Sequence, residues 1–322
     1  TPAGDRIWLC LHDSRPFTLI LPQQPSAHAI LLLHGAGRNH RTLIDNEQTR
    51  AALLAADAII IMPNGGSSWW LDPAPILALM DHLQAPLQIT TWSATGWSMG
   101  GYGSLRLVQQ HPERFQAWAG IIGLLDFPNP QYPKEWNHSI PAVFGPPDTW
   151  PGHYPLTQIT TLKGKRLWFA TAEAAFDRRM NDTFHAKLND LAIPHHYELI
   201  PGAHTFPVVA TLLPKALAFL AARQPVIRGF ITDETRTPIP NAKVSLSPPN
   251  PSQPIRMATS APDGTFQLVA QPGLYRLCIE AQGFRRVETE VTIEPNQSLM
   301  IPRVELKIFR SDGNTVQEIR HE

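Results

Sequence analysis

Gly96-Trp97-Ser98-Met99-Gly100 has the pattern G-x-S-x-G, and its flanks decide what the pattern means. Before it, Thr91-Trp92-Ser93-Ala94-Thr95 is short and rich in β-branched and aromatic residues, the composition of a buried strand. After it, Leu105 and Val108 keep helical spacing until His111-Pro112, where a proline stops the helix. A strand, a sharp turn with serine at its apex and then a helix is the setting of a nucleophile elbow. Side chains at Gly96 and Gly100 would collide with the adjoining strand or helix. The strained turn lifts the serine hydroxyl above the sheet and sets the Met99 amide beside it.

Outward from this turn the chain alternates strand and helix. Ala29-Ile30-Leu31-Leu32-Leu33 is continuously apolar, as a strand covered on both faces must be, and ends in His34-Gly35-Ala36-Gly37. A helix with Leu43, Ala51, Leu53 and Leu54 on its apolar side precedes a second buried strand, Ala58-Ile59-Ile60-Ile61-Met62. Then come the loop from Pro63 to Trp70 and a helix from Ile76 to Leu83. Beyond the elbow, strands are expected at Phe115 to Ile122, Arg166 to Ala170 and His196 to Ile200, with a helix marked by Met180, Phe184, Leu188 and Leu191. A last helix runs to about Arg223, broken at Pro214. One or two leading strands precede Pro25. This rhythm predicts a mostly parallel α/β sheet with helices on both faces. Gly123 to Leu162 interrupts it with a proline-rich segment, expected as a cap over a site.

From Pro225 the period changes to two. Seven short strands are expected: Val226 to Ile231, Ala242 to Leu246, Arg256 to Ser260, Thr265 to Val269, Leu274 to Glu280, Val287 to Ile293 and Leu299 to Leu306. That is the pattern of a small antiparallel β-sandwich. The expected organisation is therefore an α/β domain over residues 1–224, a sandwich over 225–308 and a polar tail over 309–322.

The 322 residues include 27 basic and 27 acidic side chains, a balance without the electrostatic footprint of a nucleic-acid or anionic-membrane partner. No apolar run approaches a membrane span. Cys10 and Cys278 lack ligand spacing, no metal-binding cluster is visible, and no glycine-rich dinucleotide or phosphate loop occurs. The chain starts at Thr1 without a recognisable leader, as a trimmed chain would.

A serine hydroxyl needs a base within hydrogen-bond reach, itself oriented by a carboxylate. His204 follows a strand's C-terminal end, whereas His195 and His196 start that strand, His185 falls in a helix and His34 precedes the nucleophile. For the acid, the loop after Ala170 offers Asp177, just before a helix, with Glu173 as the alternative. Oxyanion donors are expected at the amides of Met99 and of Ala36, with Gly35 as the alternative. Trp69, Trp70, Trp97 and Trp136 are candidates to line an apolar or sugar-binding cleft, or else pack ordinarily. Three activities fit these residues: ester hydrolysis through an acyl-enzyme, acyl transfer or peptide cleavage on the same groups, and binding of carbohydrate or protein by an inactive hydrolase fold.

The motifs Leu33-His34-Gly35, Pro63-Asn64-Gly65-Gly66 with Trp69-Trp70, Gly96 to Gly101, His111-Pro112-Glu113-Arg114-Phe115, Val143-Phe144-Gly145 with Trp150 and Pro155, and Pro201-Gly202-Ala203-His204-Thr205 together carry a family likeness. Residues 1–222 resemble the esterase D and S-formylglutathione hydrolase-like branch of the α/β-hydrolases, which includes feruloyl esterases and mycolyl transferases. The resemblance implies a serine esterase without a cofactor, acting on a small-molecule or polysaccharide ester such as an acyl or feruloyl group on carbohydrate. The acid loop, Thr171 to Asp177, is longer than the family's short glycine-containing link. The C-terminal part is similar to carboxypeptidase regulatory-like domains of the transthyretin type, carried by Gly229 to Asp233, Pro238 to Val244, Asp263-Gly264-Thr265-Phe266 and Pro272-Gly273-Leu274-Tyr275. Such modules are frequent in exported proteins, so the resemblance implies an extracytoplasmic, periplasmic or secreted location.

Overall fold

The structure is a computed structural model that describes residues 6–129, 140–222, 225–249, 255–270, 273–294, 299–308 and 317–318. The chain divides into two compact units, Thr1–Ala221 and Ala222–Glu322. In the first, eight strands form one sheet: β1 (Ile7–His12), β2 (Arg15–Ile20), β3 (His28–Leu33), β4 (Ile59–Pro63), β5 (Thr91–Trp97), β6 (Phe115–Ile121), β7 (Arg166–Ala172) and β8 (His196–Ile200). Their spatial order is β1-β2-β4-β3-β5-β6-β7-β8. β2 runs antiparallel to both β1 and β4, and every other pairing is parallel.

The unbroken apolar run of β3 has a direct cause, because successive residues feed opposite cores. Leu31 and Leu33 pack with α2 (Ala74–Gln84), α3 (Met99–Gln110) and α4 (Arg178–Asp190), through residues such as Leu79, Leu105, Val108, Phe184 and Leu188. Ile30 and Leu32 pack with α1 (Glu47–Ala55) and α5 (Phe206–Ala221), through Leu53, Leu212, Leu213 and Leu217. Each fully buried leucine or isoleucine contributes about 1.5–3 kcal/mol, so a polar residue at any of these β3 positions would be costly.

Strand order also positions the site. From β3 the chain moves outward to β4, then returns to β5 on the other side of β3. The connections after β3 and β5 therefore leave in opposite directions. The carboxyl ends of these two strands are the place where open α/β sheets bind ligands. His34 and Ser98 sit there.

Several expectations need correction. α5 runs unbroken through Pro214. Proline removes one backbone hydrogen bond, but Leu212, Leu213, Ala216, Leu217 and Leu220 form one buried stripe across it, and their packing holds both halves in line. Leu43 is buried but lies before α1, which is capped by Asn46 accepting from the Thr49 amide at 3.0 Å. Of the interrupting segment, residues 123–129 and 140–162 are described, and the second stretch is mostly short 3₁₀ turns tied to α3. The Tyr102 hydroxyl donates to His153 O at 2.9 Å, Arg106 to Gly152 O at 2.7 Å and Gln109 to Pro155 O at 2.7 Å.

The second unit has two sheets. One has the order β11 (Arg256–Thr259), β10 (Lys243–Ser247), β13 (Gly273–Glu280), β14 (Val287–Ile293) and β17 (Gln317–Glu318). In the other, β9 (Val226–Asp233) pairs with β12 (Thr265–Val269), β15 (Leu299–Met300) and β16 (Val304–Leu306). Alternate residues from both, among them Val244, Leu277, Ile231 and Phe266, build one core. The expected strand from Leu299 to Leu306 is two short strands, and both run parallel to β9. Pro302 lies between them, and a residue lacking an amide proton cannot sustain a strand ladder. Of the polar tail, only 317–318 are described. No helix among the described residues is long and apolar enough to cross a membrane.

Candidate active site

Ser98 stands between β5 and α3 with φ +54° and ψ −121°, a conformation that L-residues avoid. The surroundings enforce it. Ser98 N–H donates to Ile121 O at 3.1 Å, and Ser98 O accepts from the Tyr102 amide at 3.1 Å. The flanking glycines are required by close approach. A Cβ on Gly96 would lie 2.3 Å from Gly100 O, and one on Gly100 would lie 2.0 Å from Leu33 O. The elbow is thereby clamped between its own helix and β3.

His204 reaches Ser98 from the turn after β8, with Nε2 2.9 Å from Ser98 Oγ. Its Nδ1 lies 2.6 Å from Asp177 Oδ1. Asp177 is fully buried at the start of α4. Its second oxygen, Oδ2, accepts from the Thr171 hydroxyl at 2.5 Å and from Asn181 Nδ2 at 3.0 Å. Asn181 Nδ2 also donates to Gly123 O and to Asp177 O, each at 2.9 Å, which ties the carboxylate to the end of β6. Two backbone bonds join the acid loop to the histidine turn: Glu173 N–H to Ile200 O at 2.9 Å and Ala174 N–H to Gly202 O at 2.8 Å. Glu173 itself is exposed. The Phe176 ring stacks on the His204 imidazole at 4.2 Å between centroids.

The structure thus brings Ser98, His204 and Asp177 into one hydrogen-bonded line. Thr171, Asn181 and Phe176 were not anticipated. Asn181 had a legible signal, since a residue four beyond Asp177 on a helix shares its face. Thr171 and Phe176 had none.

Met99 is the first residue of α3, where an amide has no carbonyl partner within the helix. Ala36 lies exposed in a turn closed by Arg38 N–H to Gly35 O at 3.2 Å. Buried His34 fixes this turn: Nδ1 lies 2.8 Å from Gly35 O, and Nε2 accepts from the Gly65 amide at 3.0 Å. Burial pushes the His34 pKa below its ordinary value, which keeps the ring neutral and suited to accepting that bond.

The tryptophans are placed differently from a row along one cleft. Trp97 is buried in the core beneath the elbow, its indole against Gly35. Trp70 is also buried, with Nε1 donating to His34 O at 3.3 Å and its ring against Gly65 and Gly103. Both rings support the site from below instead of lining it, because Trp97 at the end of β5 and Trp70 on the loop after β4 are turned into the core. Trp69 is half-buried in an aromatic cluster with Tyr102, Phe127 and Phe144, at centroid distances of 6.0, 4.9 and 5.2 Å. Trp136 lies outside the described residues.

A family model described as "Putative esterase" matches residues 11–220, and one described as a carboxypeptidase regulatory-like domain matches residues 226–307. The solved structures similar to this chain include FphF, a fluorophosphonate-binding serine hydrolase of Staphylococcus aureus, at 18% identity and TM-score 0.54, covering 64% of this chain and 92% of that one. An S-formylglutathione hydrolase of Agrobacterium tumefaciens is 13% identical with TM-score 0.54, over 67% of this chain and 93% of its own. MPT51 (FbpC1) of Mycobacterium tuberculosis is 16% identical with TM-score 0.56, over 66% and 96%. At these identities the likeness is one of fold, that of the α/β-hydrolases. No curated protein matched the chain.

Proposed function

Because the chain belongs to the esterase family matched over residues 11–220, we propose that it cleaves carboxylic esters through an acyl-enzyme on Ser98, with His204 as base and Asp177 as the carboxylate that orients it. One observation carries this assignment: the continuous contact from Ser98 Oγ to His204 Nε2 at 2.9 Å and from His204 Nδ1 to Asp177 Oδ1 at 2.6 Å. An ionised carboxylate only accepts, so the imidazole proton sits on Nδ1 and Nε2 is left as the acceptor. Ser98 Oγ attacks the ester carbonyl as Nε2 takes its proton. The imidazolium, held by Asp177, then gives that proton to the departing alcohol. Water repeats the sequence on the acyl-enzyme and releases the acid.

The oxyanion is assigned to the amides of Met99 and Ala36. Support for Ala36 comes from the turn itself. His34 and the Arg38 amide both bond to Gly35 O, and in a planar trans peptide this carbonyl points away from the Ala36 N–H. Fixing one therefore aims the other, as a preorganised donor requires. Esters of acyl or feruloyl groups on carbohydrate are the proposed substrates, and the half-buried Trp69 cluster is the apolar surface offered for the acyl part.

A fluorophosphonate probe should label the wild-type chain on Ser98 and leave Ser98→Ala unlabelled. Labelling at any other residue, or none, overturns the assignment. A series of p-nitrophenyl and feruloyl esters compared with matched amides then defines the substrate, and efficient turnover of amides alone would count against an esterase.

A further inference from the structure

A cavity lies at the carboxyl end of the sheet, walled in part by Trp70. It is enclosed by the β1–β2 hairpin, the loop after β4 and the start of α2, with a volume of about 280 Å³. None of Ser98, His204 or Asp177 lines it. The volume is several times the roughly 30 Å³ occupied by one water and suits a single substituted six-membered ring.

Its floor is apolar: Phe17, Trp70, Ile76 and Leu79 are all buried core residues whose sides face the cavity. Its rim is polar and of mixed sign. Arg15 and Asp72 are both exposed there, and Arg15 makes no ion pair among the described residues. Asp72 Oδ1 accepts from the Ala74 amide at 3.0 Å, and the exposed carboxylate has a second oxygen able to accept from a further donor. The wall residue His12 has a buried Nε2 without a hydrogen bond. The nearest acid to His12 Nε2, Asp13 Oδ2, is 3.5 Å away, too far for a hydrogen bond. That nitrogen lies beneath the surface, so the polar groups a ligand can reach are those of the rim, Arg15 and Asp72.

These features select a ligand class. An anion would meet Asp72, and a cation would meet Arg15. A neutral polyol satisfies both, because each hydroxyl donates and accepts, while the C–H face of a pyranose ring covers an apolar floor that includes an indole. We infer that this cavity is a binding site for one pyranose unit, separate from the ester-cleaving serine. An enzyme acting on esters carried by a saccharide would gain by holding a neighbouring sugar here, since tethering raises the effective concentration of the ester at Ser98.

The test is saturation-transfer NMR on the full chain with methyl β-D-glucopyranoside and methyl β-D-xylopyranoside, with benzoate as an anionic ring control. Saturable binding of at least one pyranoside, retained in Ser98→Ala and weakened about tenfold or more in both Arg15→Ala and Asp72→Asn, is the expected result. Asp72→Asn keeps the oxygen that caps Ala74, and circular dichroism with thermal unfolding checks that both rim variants are folded. Absence of saturable binding by either pyranoside, binding indifferent to both rim substitutions, loss of binding in Ser98→Ala, or preference for benzoate would each overturn the inference. The readout is binding, so it stands or falls independently of ester hydrolysis.

Discussion

Replacing Asp177 by asparagine exchanges one oxygen for an NH₂ group in a fully buried site whose partners are already committed. Oδ2 receives the Thr171 hydroxyl at 2.5 Å and Asn181 Nδ2 at 3.0 Å, while Oδ1 faces His204 Nδ1 at 2.6 Å. Asparagine offers one acceptor for these two sides. With its oxygen toward Asn181, its NH₂ points at His204 Nδ1 and drives the imidazole proton onto Nε2, the atom that must accept from Ser98. Turned the other way, it sets two NH₂ groups against each other, a buried mismatch of about 1–3 kcal/mol. The Thr171 hydroxyl can rotate to accept, but Asn181 cannot flip without losing its bonds to Gly123 O and Asp177 O. The network therefore selects the unproductive tautomer. The expected loss is roughly 10⁴-fold in kcat, as measured when the tautomer is inverted in other triads. At about 1.36 kcal/mol per decade this is ~5.5 kcal/mol of transition-state stabilisation. Steady-state hydrolysis of p-nitrophenyl acetate measures it, with circular dichroism confirming the fold. Exposed Glu173 is the comparison, and Glu173→Gln should stay within about tenfold of wild type. An Asp177→Asn enzyme that keeps a tenth of its activity, or a Glu173→Gln enzyme that is crippled, refutes the reasoning.

Gly100→Ala would place a methyl group 2.0 Å from the Leu33 carbonyl oxygen, a backbone atom with no freedom to move aside. It should destabilise by about 3 kcal/mol or prevent folding. Gly152→Ala, with nothing within 4 Å of the added carbon, should change the urea midpoint by no more than about 0.5 kcal/mol in equivalent stability. Burial holds the His195 pKa below its usual 6.5, so the unfolded chain takes up a proton there more readily than the folded one. The stability is complete above about 6.5 and declines as pH falls toward the lower folded value. His195→Gln should make urea unfolding less sensitive to acid over that window, and an unchanged pH slope would contradict it. Residues 1–224 contain every group assigned to ester cleavage and should hydrolyse p-nitrophenyl acetate at near the full-chain rate. A folded fragment without activity would show that the C-terminal unit contributes to the site.

Much of the hydrolase unit was legible because its signals are local. The apolar run of β3 reports burial on both faces, and the spacing around Ser98 reports a strand, a turn and a helix within a few residues. The histidine could be read from its place after a strand, since strand direction in a parallel sheet assigns every such turn to the same end. The parallel pairing of residues 299–306 was not legible, because a two-residue or three-residue strand carries no periodicity that states its direction.

Composition, periodicity and the elbow motif determined on their own the two-part architecture and the candidate serine and histidine, while the esterase family was read from a resemblance spread over several motifs. Only the tertiary structure decided which carboxylate meets the histidine. Glu173 and Asp177 are four residues apart in one loop, and the backbone bonds from Glu173 and Ala174 to β8 and the turn after it set which of them faces inward. It likewise decided that Trp70 and Trp97 support the site from below, that Thr171 and Asn181 hold the acid, and that a polar-rimmed cavity is walled in part by Trp70. A sequence records which side of each element avoids water. Which distant element covers that side depends on how the strands are ordered, and that order brings together residues such as Ser98 and His204 that lie 106 positions apart.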